Sequence, residues 1–183
     1  MKVFKSLNRR SLNYTKNSVL IIGNLDGVHK GHQSIIHSAK KIANKQKTKI
    51  GVLLFDPHPR KYFNKNIKSF LLTELNERLE ILKSYGIDYA IIIKFNKRIS
   101  SMTPNDFCKK ILLRGISMKF ILVGKNFKFG NKRSGDYKFL LNFGKENQFY
   151  VNPVKLLKTS NHLFNKTKMK NGNTVDENLV ALI

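Results

Sequence analysis

A glycine-rich turn between a buried strand and an amphipathic helix constrains this chain more than any other feature of its sequence. Residues 18–22 form an apolar run, and residues 23–33 read G-N-L-D-G-V-H-K-G-H-Q. The residues that follow carry apolar side chains at helical spacing, from Ile35 to Ala43. The run predicts a strand buried on both faces, and the spacing predicts a helix with one buried side. The turn therefore joins the end of a strand to the start of a helix.

Anions are favoured at such a junction, because free backbone N–H groups and the helix dipole point into it. His29 and His32 lie three residues apart and add two hydrogen-bond donors on the same side of the helix. The turn contains no nucleophilic hydroxyl or thiol. We therefore predict that it handles phosphate by positioning and electrostatics.

The rest of the chain alternates apolar runs with helical patterns, which predicts an α/β fold. We expect a Rossmann-like, doubly wound parallel sheet of five strands, covered by helices on both faces. The five predicted strands span residues 18–24, 49–55, 87–93, 120–123 and 149–151. Residues 1–17 read as a polar lead-in that could add an edge strand at Val3 and Phe4.

Three loops that follow predicted strands span residues 23–32, 55–72 and 124–134. In a parallel sheet the carboxyl ends of the strands share one edge, and ligands bind there where the strand order reverses. We therefore expect the three loops to converge on one rim. Helix starts are predicted at Thr73, Thr103 and Asp136.

The strong positive charge of the chain has two interpretations. The sequence carries 35 lysines and arginines against 11 acidic residues, a formal net charge of +24. Such an excess fits either a polyanion partner or a lysine-rich composition. The lysines form no single arm, and no RNA-binding aromatic motif alternates with them. We therefore do not expect nucleic acid as a partner.

The sequence predicts neither a membrane protein nor a disulfide-bonded one. No apolar run approaches the roughly 20 residues of a membrane-spanning helix, and the basic start lacks the apolar core of a signal peptide. Cys108 is the only cysteine, which excludes an internal disulfide. Zinc needs three or four ligands, and His37 lies on another helix face from His32. We expect a cytoplasmic protein with no metal held directly in a cage of protein side chains.

The turn matches neither of the two common phosphate-binding fingerprints. Gly23, Gly27 and Gly31 are spaced by four residues and do not form G-x-G-x-x-G, and no lysine followed by serine or threonine marks a Walker A loop. The turn does resemble the signature of the HxGH nucleotidylyltransferases. In detail it resembles that of the bacterial FAD synthetases, whose usual G-N-F-D-G-V-H-x-G-H differs here only at Leu25.

Further stretches are similar to that family in order and spacing. Residues 55–59, 71–78 and 123–136 carry its F-D-P-H-P, L-L-T…E-R and V-G-x-D/N-F-x-F-G…R-x-G-D motifs. The resemblance covers about residues 15–155. It implies the HxGH nucleotidylyltransferase fold and an FMN adenylyltransferase, which transfers AMP from ATP to FMN and gives FAD and pyrophosphate.

The resemblance also implies a set of site residues. FMN would attack the α-phosphorus of ATP directly, with Mg²⁺ held by substrate oxygens and water, and His29 and His32 would be catalytic at the phosphates. The residues implied at the ATP site are Gly23, Asn24, Leu25, Asp26, Gly31 and Asn126. Those implied at the flavin site are Asp56, Pro57, His58, Phe127, Phe129 and Arg133. Phe127 and Phe129 could instead be core aromatics, although their alternation between glycines favours partial exposure.

The chain departs from the family after the fifth predicted strand. The family closes its site with I-S-S-T-x-I-R, whereas residues 157–162 read L-K-T-S-N-H and no arginine follows Arg133. Lys158 and Lys166 offer charge without the planar double donor of arginine. We expect an FMN adenylyltransferase domain over residues 1–157 and a divergent or truncated tail over residues 158–183, with the riboflavin kinase domain absent. A separate riboflavin kinase could then be a partner.

This departure leaves two alternatives open. The chain could be a weak or inactive remnant that still binds nucleotide or flavin without the serine, threonine and arginine of that motif. It could also be a related HxGH nucleotidylyltransferase that uses another phosphate acceptor.

Overall fold

One six-stranded parallel sheet organises the described part of the chain. The structure is a computed structural model and describes residues 1–67 and 70–154. In chain order the strands are β1 (Lys2–Phe4), β2 (Val19–Ile22), β3 (Ile50–Asp56), β4 (Tyr89–Lys94), β5 (Phe120–Gly124), β6 (Lys128–Phe129), β7 (Gly135–Asp136) and β8 (Tyr150–Val154). The α-helices are α1 (Arg9–Thr15), α2 (Lys30–Gln46), α3 (Pro59–Phe63), α4 (Leu75–Ser84), α5 (Lys97–Ser100), α6 (Pro104–Phe107) and α7 (Tyr137–Glu146). A π-helix (Cys108–Ile116) continues α6, and 3₁₀ turns lie at Asp26–Val28 and Asn131–Arg133.

The order of the strands places a topological switch point beside β2. The sheet runs β1-β4-β3-β2-β5-β8, and every neighbouring pair is parallel. The chain builds outward from β2 to β3 and β4, returns to the other side of β2 for β5, and continues to β8. The order therefore reverses between β2 and β5, and ligands of such sheets bind beyond the carboxyl ends of the strands at that point. The histidine turn follows β2, and the loop with Asn126 follows β5.

Side chains of the strands enter two cores, one on each face of the sheet. Ile21 and Val52 pack on one face with α2 and α4, and Leu20 and Leu53 pack on the other with the π-helix and α7. Consecutive residues such as Leu20 and Ile21 are both fully buried, which is why the strands read as continuous apolar runs. Cys108 lies in the second core, where burial raises the pKa of its thiol to about 12.

The doubly wound parallel architecture is confirmed, whereas the predicted count of five strands is wrong. The edge strand considered at the start of the chain forms as β1 and pairs with β4, which makes the sheet six-stranded. Residues 1–17 are also more than a polar lead-in, because they contain α1 with a reciprocal capping box. Asn8 Oδ1 accepts a hydrogen bond from the Ser11 N–H at 3.0 Å, and the Asn8 N–H donates to Ser11 Oγ at 2.9 Å.

Two of the predicted helix starts are confirmed and one is wrong. Thr103 caps α6 and Asp136 caps α7, since each side chain accepts a hydrogen bond from the backbone N–H three residues later, at 3.1 and 2.9 Å. Thr73 does not cap α4, because Glu74 occupies the N-cap position. The loop over residues 55–72 also differs from the prediction, since it contains the short helix α3.

Some predictions concern residues that the structure does not describe. The domain boundary at residue 157 and the tail over residues 158–183, with Lys158 and Lys166, lie outside the described residues. Within residues 1–67 and 70–154, no helix is long and apolar enough to cross a membrane.

Gly51 tests how tightly the sheet packs against its second core. It lies opposite Tyr89 of β4, and a Cβ added to Gly51 would overlap the Tyr89 ring. We predict that Gly51→Ala lowers the free energy of unfolding by about 1–3 kcal/mol, the usual cost of overpacking a core, as measured by urea unfolding. Gly51→Ala combined with Tyr89→Leu should lose less than the sum of the two single losses, because the smaller side chain relieves the overlap. Strictly additive losses would contradict this packing.

Candidate active site

The turn after β2 adopts a backbone that few non-glycine residues accept. Leu25, Gly27 and Val28 have φ angles of 51°, 64° and 39°, all in the left-handed region. Each non-glycine residue held there costs on the order of 1–3 kcal/mol. Gly27 also has no room for a side chain, because Leu72 lies over it. Contacts from outside the turn must therefore hold this conformation.

His29 ends the turn and caps α2. Its Nδ1 accepts a hydrogen bond from the Gly31 N–H at 3.1 Å. In a neutral imidazole the nitrogen that accepts carries no proton, so the proton of His29 lies on Nε2, which can donate. Burial lowers the pKa of His29, although the charge of Asp26 opposes the shift. His29 therefore offers one neutral N–H donor in a defined tautomer.

His32 lies on the first turn of α2 and stacks against His29. The two ring centroids are 3.7 Å apart, with an angle of 27° between the ring planes. His32 is 9% exposed, and burial, with His29 as the second cause, lowers the pKa of His32 to about 3. Both imidazoles are therefore neutral at pH 7, and each fixes the orientation of the other.

Two buried polar atoms of this turn have no hydrogen-bond partner in the protein, namely Asn24 Nδ2 and His32 Nδ1. Asn24 is 3% exposed, and its Oδ1 accepts a hydrogen bond from the Phe55 N–H at 3.3 Å, which joins the turn to the end of β3. Buried polar atoms are nearly always hydrogen bonded. In the part of the chain that the structure describes, these are the two exceptions among buried side-chain nitrogens and oxygens. Their occurrence in one turn indicates where a polar ligand would complete the hydrogen bonding.

A buried ion pair joins the turn to α4. Arg78 is 3% exposed, and its Nη2 lies 3.1 Å from Asp26 Oδ1. The Asp26 carboxylate also accepts hydrogen bonds from the N–H groups of Leu72 and Thr73, at 2.8 and 3.0 Å, and from the Thr73 hydroxyl at 2.8 Å. Asp26, which was predicted at the ATP site, is thus engaged by protein donors. The Thr73 hydroxyl, predicted as a helix cap, belongs to this network instead.

The loop after β3 brings His58 toward the same turn. Nδ1 of His58 accepts a hydrogen bond from the Arg60 N–H at 3.0 Å, and the His58 ring meets the Phe70 ring edge-on at 5.0 Å. Burial lowers the pKa of His58 to about 4, and the positive charge of Arg78 is the second cause. The same arginine acts on His32. The first two predicted loops therefore meet at the carboxyl edge of the sheet.

An exposed aromatic side chain on α3 was not predicted from the sequence. Phe63 is 70% exposed, and its ring packs edge-on against Tyr62 and Phe95 at centroid distances of 5.2 and 5.8 Å. Single exposed apolar side chains are common on protein surfaces, so Phe63 is a candidate ligand contact because it also lies on the segment that follows β3. The only signal in the sequence is the aromatic pair that closely follows the Asp-Pro-His-Pro turn.

The loop after β5 forms a basic cavity of about 490 Å³. Asn126 and Arg133 line it and are exposed, as are Lys125 and Lys132. Lys128 and Asp136 also line it, and their side chains form an ion pair at 3.3 Å. Because β5 lies next to β2 in the sheet, this loop starts beside the histidine turn. Asn126 and Arg133, two of the residues predicted at the third loop, therefore line one cavity.

Phe127 and Phe129 are buried, so the predicted partial exposure is wrong. Their rings stack in the core with centroids 5.3 Å apart. Phe129 belongs to β6, whose antiparallel pairing with β7 places it opposite Gly135, and Phe127 lies just before that strand. Alternate residues of such a strand point to opposite sides, and both phenylalanines point inward.

The remaining predicted residues lie around the turn. The Leu25 side chain packs in the first core, and the Gly23 N–H donates to the Leu53 carbonyl at 3.3 Å. Asp56 is exposed at the end of β3, and Pro57 beside it is half-buried.

Comparison with known proteins gives the same family as the motifs. The FAD synthetase family matches residues 11–168. A bifunctional riboflavin kinase/FMN adenylyltransferase of Buchnera aphidicola subsp. Acyrthosiphon pisum is 33% identical over 183 residues, which is 100% of this chain and 57% of the relative. The protein of the same name from Escherichia coli K12 is 32% identical over 151 residues, 82% of this chain and 48% of the relative. The chain thus spans about half the length of the curated relatives it matches.

A solved structure supports the fold independently. The crystal structure of a protein described as a macrolide-efflux protein from Streptococcus pneumoniae has a TM-score of 0.70 and 23% identity, and the match covers 85% of this chain and 50% of that chain. At this identity the likeness concerns the fold alone. The histidine turn and the loops after β3 and β5 all lie inside the residues matched by the family, and this chain belongs to the FAD synthetase family.

Proposed function

We propose that this chain is an FMN adenylyltransferase, which transfers AMP from ATP to FMN and gives FAD and pyrophosphate. The observation that carries the proposal is the pair of buried, unpartnered polar atoms at the switch point of the sheet, Asn24 Nδ2 and His32 Nδ1. Family membership suggests the substrates, since relatives named bifunctional riboflavin kinase/FMN adenylyltransferase match the chain over about half their length.

In the proposed reaction, an oxygen of the FMN phosphate attacks the α-phosphorus of ATP. A new O–P bond forms, the bond from the α-phosphorus to the oxygen shared with the β-phosphate breaks, and that oxygen leaves with pyrophosphate. No protein nucleophile takes part. The protein therefore acts by aligning two polyanions and by stabilising the charge that develops on the α-phosphate and on the leaving group.

His29 and His32 are proposed as the catalytic pair. The neutral His29 ring carries its donor on Nε2, because Nδ1 accepts from Gly31. His32 is held against it by stacking, and the buried amide of Asn24 adds a third neutral donor. Donors that are fixed before the reaction need no reorganisation when charge develops.

ATP is proposed to lie over the amino end of α2. Gly23 and Gly31 have no side chains and so allow phosphates to approach the backbone closely. Asn24 supplies its side-chain amide. Leu25 and Asp26 act from behind the turn, because the first packs in the core and the second is engaged by protein donors.

The flavin is proposed to lie across the loops after β3 and β5. The exposed ring of Phe63 offers a surface for the isoalloxazine, since aromatic rings pack favourably on one another. Phe127 and Phe129 are buried, and we propose that they support the third loop. The remaining flavin contacts are proposed from Asp56, Pro57, His58 and Arg133, with Asn126 contacting ATP.

Mg²⁺ is proposed to enter with ATP and to neutralise charge on the phosphates and the leaving pyrophosphate. Among residues 1–67 and 70–154, no three histidine, cysteine, aspartate or glutamate side chains come together as metal ligands. Asp56 is exposed and could add one oxygen. These residues fit a Mg²⁺ held mainly by phosphate oxygens and water. We further propose a cytoplasmic setting in which a riboflavin kinase, on this or a separate chain, supplies FMN.

The proposal is tested by FAD formation from FMN, ATP and Mg²⁺, measured by chromatography. We predict that His29→Ala and His32→Ala each lower kcat by about a hundred- to a thousandfold, the usual effect of removing one donor from a charge-stabilising site. The Kd for FMN, measured by flavin fluorescence, should change far less.

His37→Ala is the matched control, because His37 is exposed on the same helix. It should keep the wild-type kcat. The proposal fails if the wild-type chain forms no FAD, or if both the His29 and His32 variants keep full turnover. Pyrophosphate release with other phosphate acceptors would then identify a different substrate.

Phe63 is predicted to affect FMN binding selectively. Phe63→Ala should raise the KM for FMN by about three- to tenfold, which corresponds to the loss of one aromatic contact, and should leave the KM for ATP unchanged. Tyr150→Ala is the control, because Tyr150 is also exposed, at 63%, but lies at the amino end of β8 on the opposite edge of the sheet. Equal effects of the two variants on the KM for FMN would rule out the flavin contact.

The low pKa of His32 predicts a pH dependence of stability. In the folded chain this pKa falls from 6.5 to about 3, so between these values the unfolded chain binds a proton that the folded chain does not. The contribution to stability is complete above pH 6.5 and is lost as the pH decreases toward 3, by at most about 1.4 kcal/mol per pH unit. Urea unfolding between pH 7 and pH 4 should therefore show a smaller loss of stability for His32→Gln than for the wild type. His37→Gln should follow the wild type, and identical slopes for all three proteins would show that His32 is not held neutral.

A further inference from the structure

We infer that Arg78 is a positioning residue, which holds the phosphate-binding turn in the conformation that aims Asn24, His29 and His32 at the phosphates. The inference rests on the proposed function and adds a residue that would act on the reaction without contacting either substrate.

The guanidinium of Arg78 binds two separate segments at once. It donates to the turn through Nη1 to the Asn24 carbonyl and through Nη2 to Asp26 Oδ1, both at 3.1 Å. It donates to the segment before α4 through Nε to Thr73 Oγ1 at 3.1 Å and through Nη2 to the Thr73 carbonyl at 2.7 Å. All three nitrogens of one rigid plane are therefore used, and helix α4 supplies the fixed base.

The residues that Arg78 binds also bind the rest of the turn. Thr73 Oγ1 accepts a hydrogen bond from the Gly27 N–H at 3.2 Å and donates to Asp26. The carbonyl of Asn24 is fixed by Arg78, and the Asn24 side chain carries one of the two unpartnered atoms. The position of Asn24 Nδ2 therefore depends on Arg78, which holds the backbone of the same residue.

The hydrogen bonds of Arg78 with Asn24, Asp26 and Thr73 form a clamp on the turn. The turn needs this clamp because of the conformation of its backbone. Leu25 and Val28 are held at positive φ, and both are non-glycine residues. Strained conformations of this kind persist only when the surrounding structure over-determines them. Arg78 and Asp26 provide that surrounding structure through the hydrogen bonds described above.

Arg78 is placed to act through the turn and not on the phosphates. Its side chain is 4% exposed, and its nitrogens are directed at four protein acceptors. A lysine would present one compact charge and could not reproduce this planar set of donors. The arginine therefore has a specific geometric task, which a lysine would perform only in part.

The test compares Arg78→Ala and Arg78→Lys with Leu82→Ala. Leu82 is fully buried on the same helix and has an apolar side chain, so its truncation destabilises the packing of α4 without removing any hydrogen bond of the clamp. We expect kcat for FAD formation to fall about a hundredfold in Arg78→Ala, since misplacing reacting groups by about 1 Å has an effect of that size. In Arg78→Lys, kcat should fall about tenfold, because lysine keeps the charge without the planar set of donors. The KM for ATP should change by less than about fivefold in both, and Leu82→Ala should keep kcat per folded molecule.

Chemical rescue separates positioning from general stability. Millimolar guanidinium chloride, far below denaturing concentrations, should restore part of the kcat of Arg78→Ala, because free guanidinium can occupy the space between Asp26 and Thr73. It should restore nothing in Leu82→Ala or His29→Ala. If Arg78→Ala does not fold, Thr73→Val removes one hydroxyl of the same network and should lower kcat about tenfold with no rescue.

The outcomes distinguish this inference from the proposed function. If the wild type forms FAD and the Arg78 and Thr73 variants keep full kcat, the positioning role is wrong and the proposed function stands. If the wild type forms no FAD, the proposed function is wrong, and calorimetric binding of inorganic triphosphate then tests the clamp. Weaker binding in Arg78→Ala than in Leu82→Ala would support it, and equal binding, or none in the wild type, would overturn it.

Discussion

A parallel sheet that is buried on both faces can offer its backbone ends to ligands only along the two edges where strands begin and end. In this chain the central strands β2 to β5 are buried along most of their length on both faces, and all six strands of the main sheet run in the same direction. The loops after β2, β3 and β5 must therefore share one edge. The reversal of strand order beside β2 separates neighbouring loops there and leaves space for a ligand. The position of the histidine turn follows from this constraint.

The turn itself is held by the ion pair of Arg78 and Asp26, whose charges are largely removed from water. Burying a charge pair removes both groups from water, and the attraction repays this only when further hydrogen bonds satisfy the remaining donors and acceptors. Arg78 and Asp26 meet that condition, because the arginine donates to four acceptors and the carboxylate accepts from Leu72 and Thr73 as well. Such a pair fixes geometry more than it adds stability. The contrast with Asn24 Nδ2 and His32 Nδ1, which lack partners, separates the supporting part of the site from the part that faces a ligand.

The sequence predicted the sheet and the loops well because both depend on strong local signals. Runs such as Val19 to Ile22 identify buried strands, and the motif residues follow those runs. The failures concern features that depend on distant partners. Thr73 looks like a helix cap from its neighbours alone, and only the fold brings Asp26 and Arg78 to its hydroxyl. Phe129 likewise lies in a two-residue pairing between β6 and β7 that no local pattern indicates.

The net charge of the chain and the neutral donors of its site act on a bound anion at different distances. The net charge is +24, yet the donors at the turn, His29, His32 and Asn24, are neutral at pH 7, and Arg78 is paired with Asp26. Distributed positive charge attracts anions from a distance and is screened by salt. Neutral donors in a buried turn act at hydrogen-bond range and are screened much less. Attraction of a polyanion therefore belongs to the surface as a whole, whereas alignment of its phosphates belongs to a few uncharged groups whose directions the fold has already fixed.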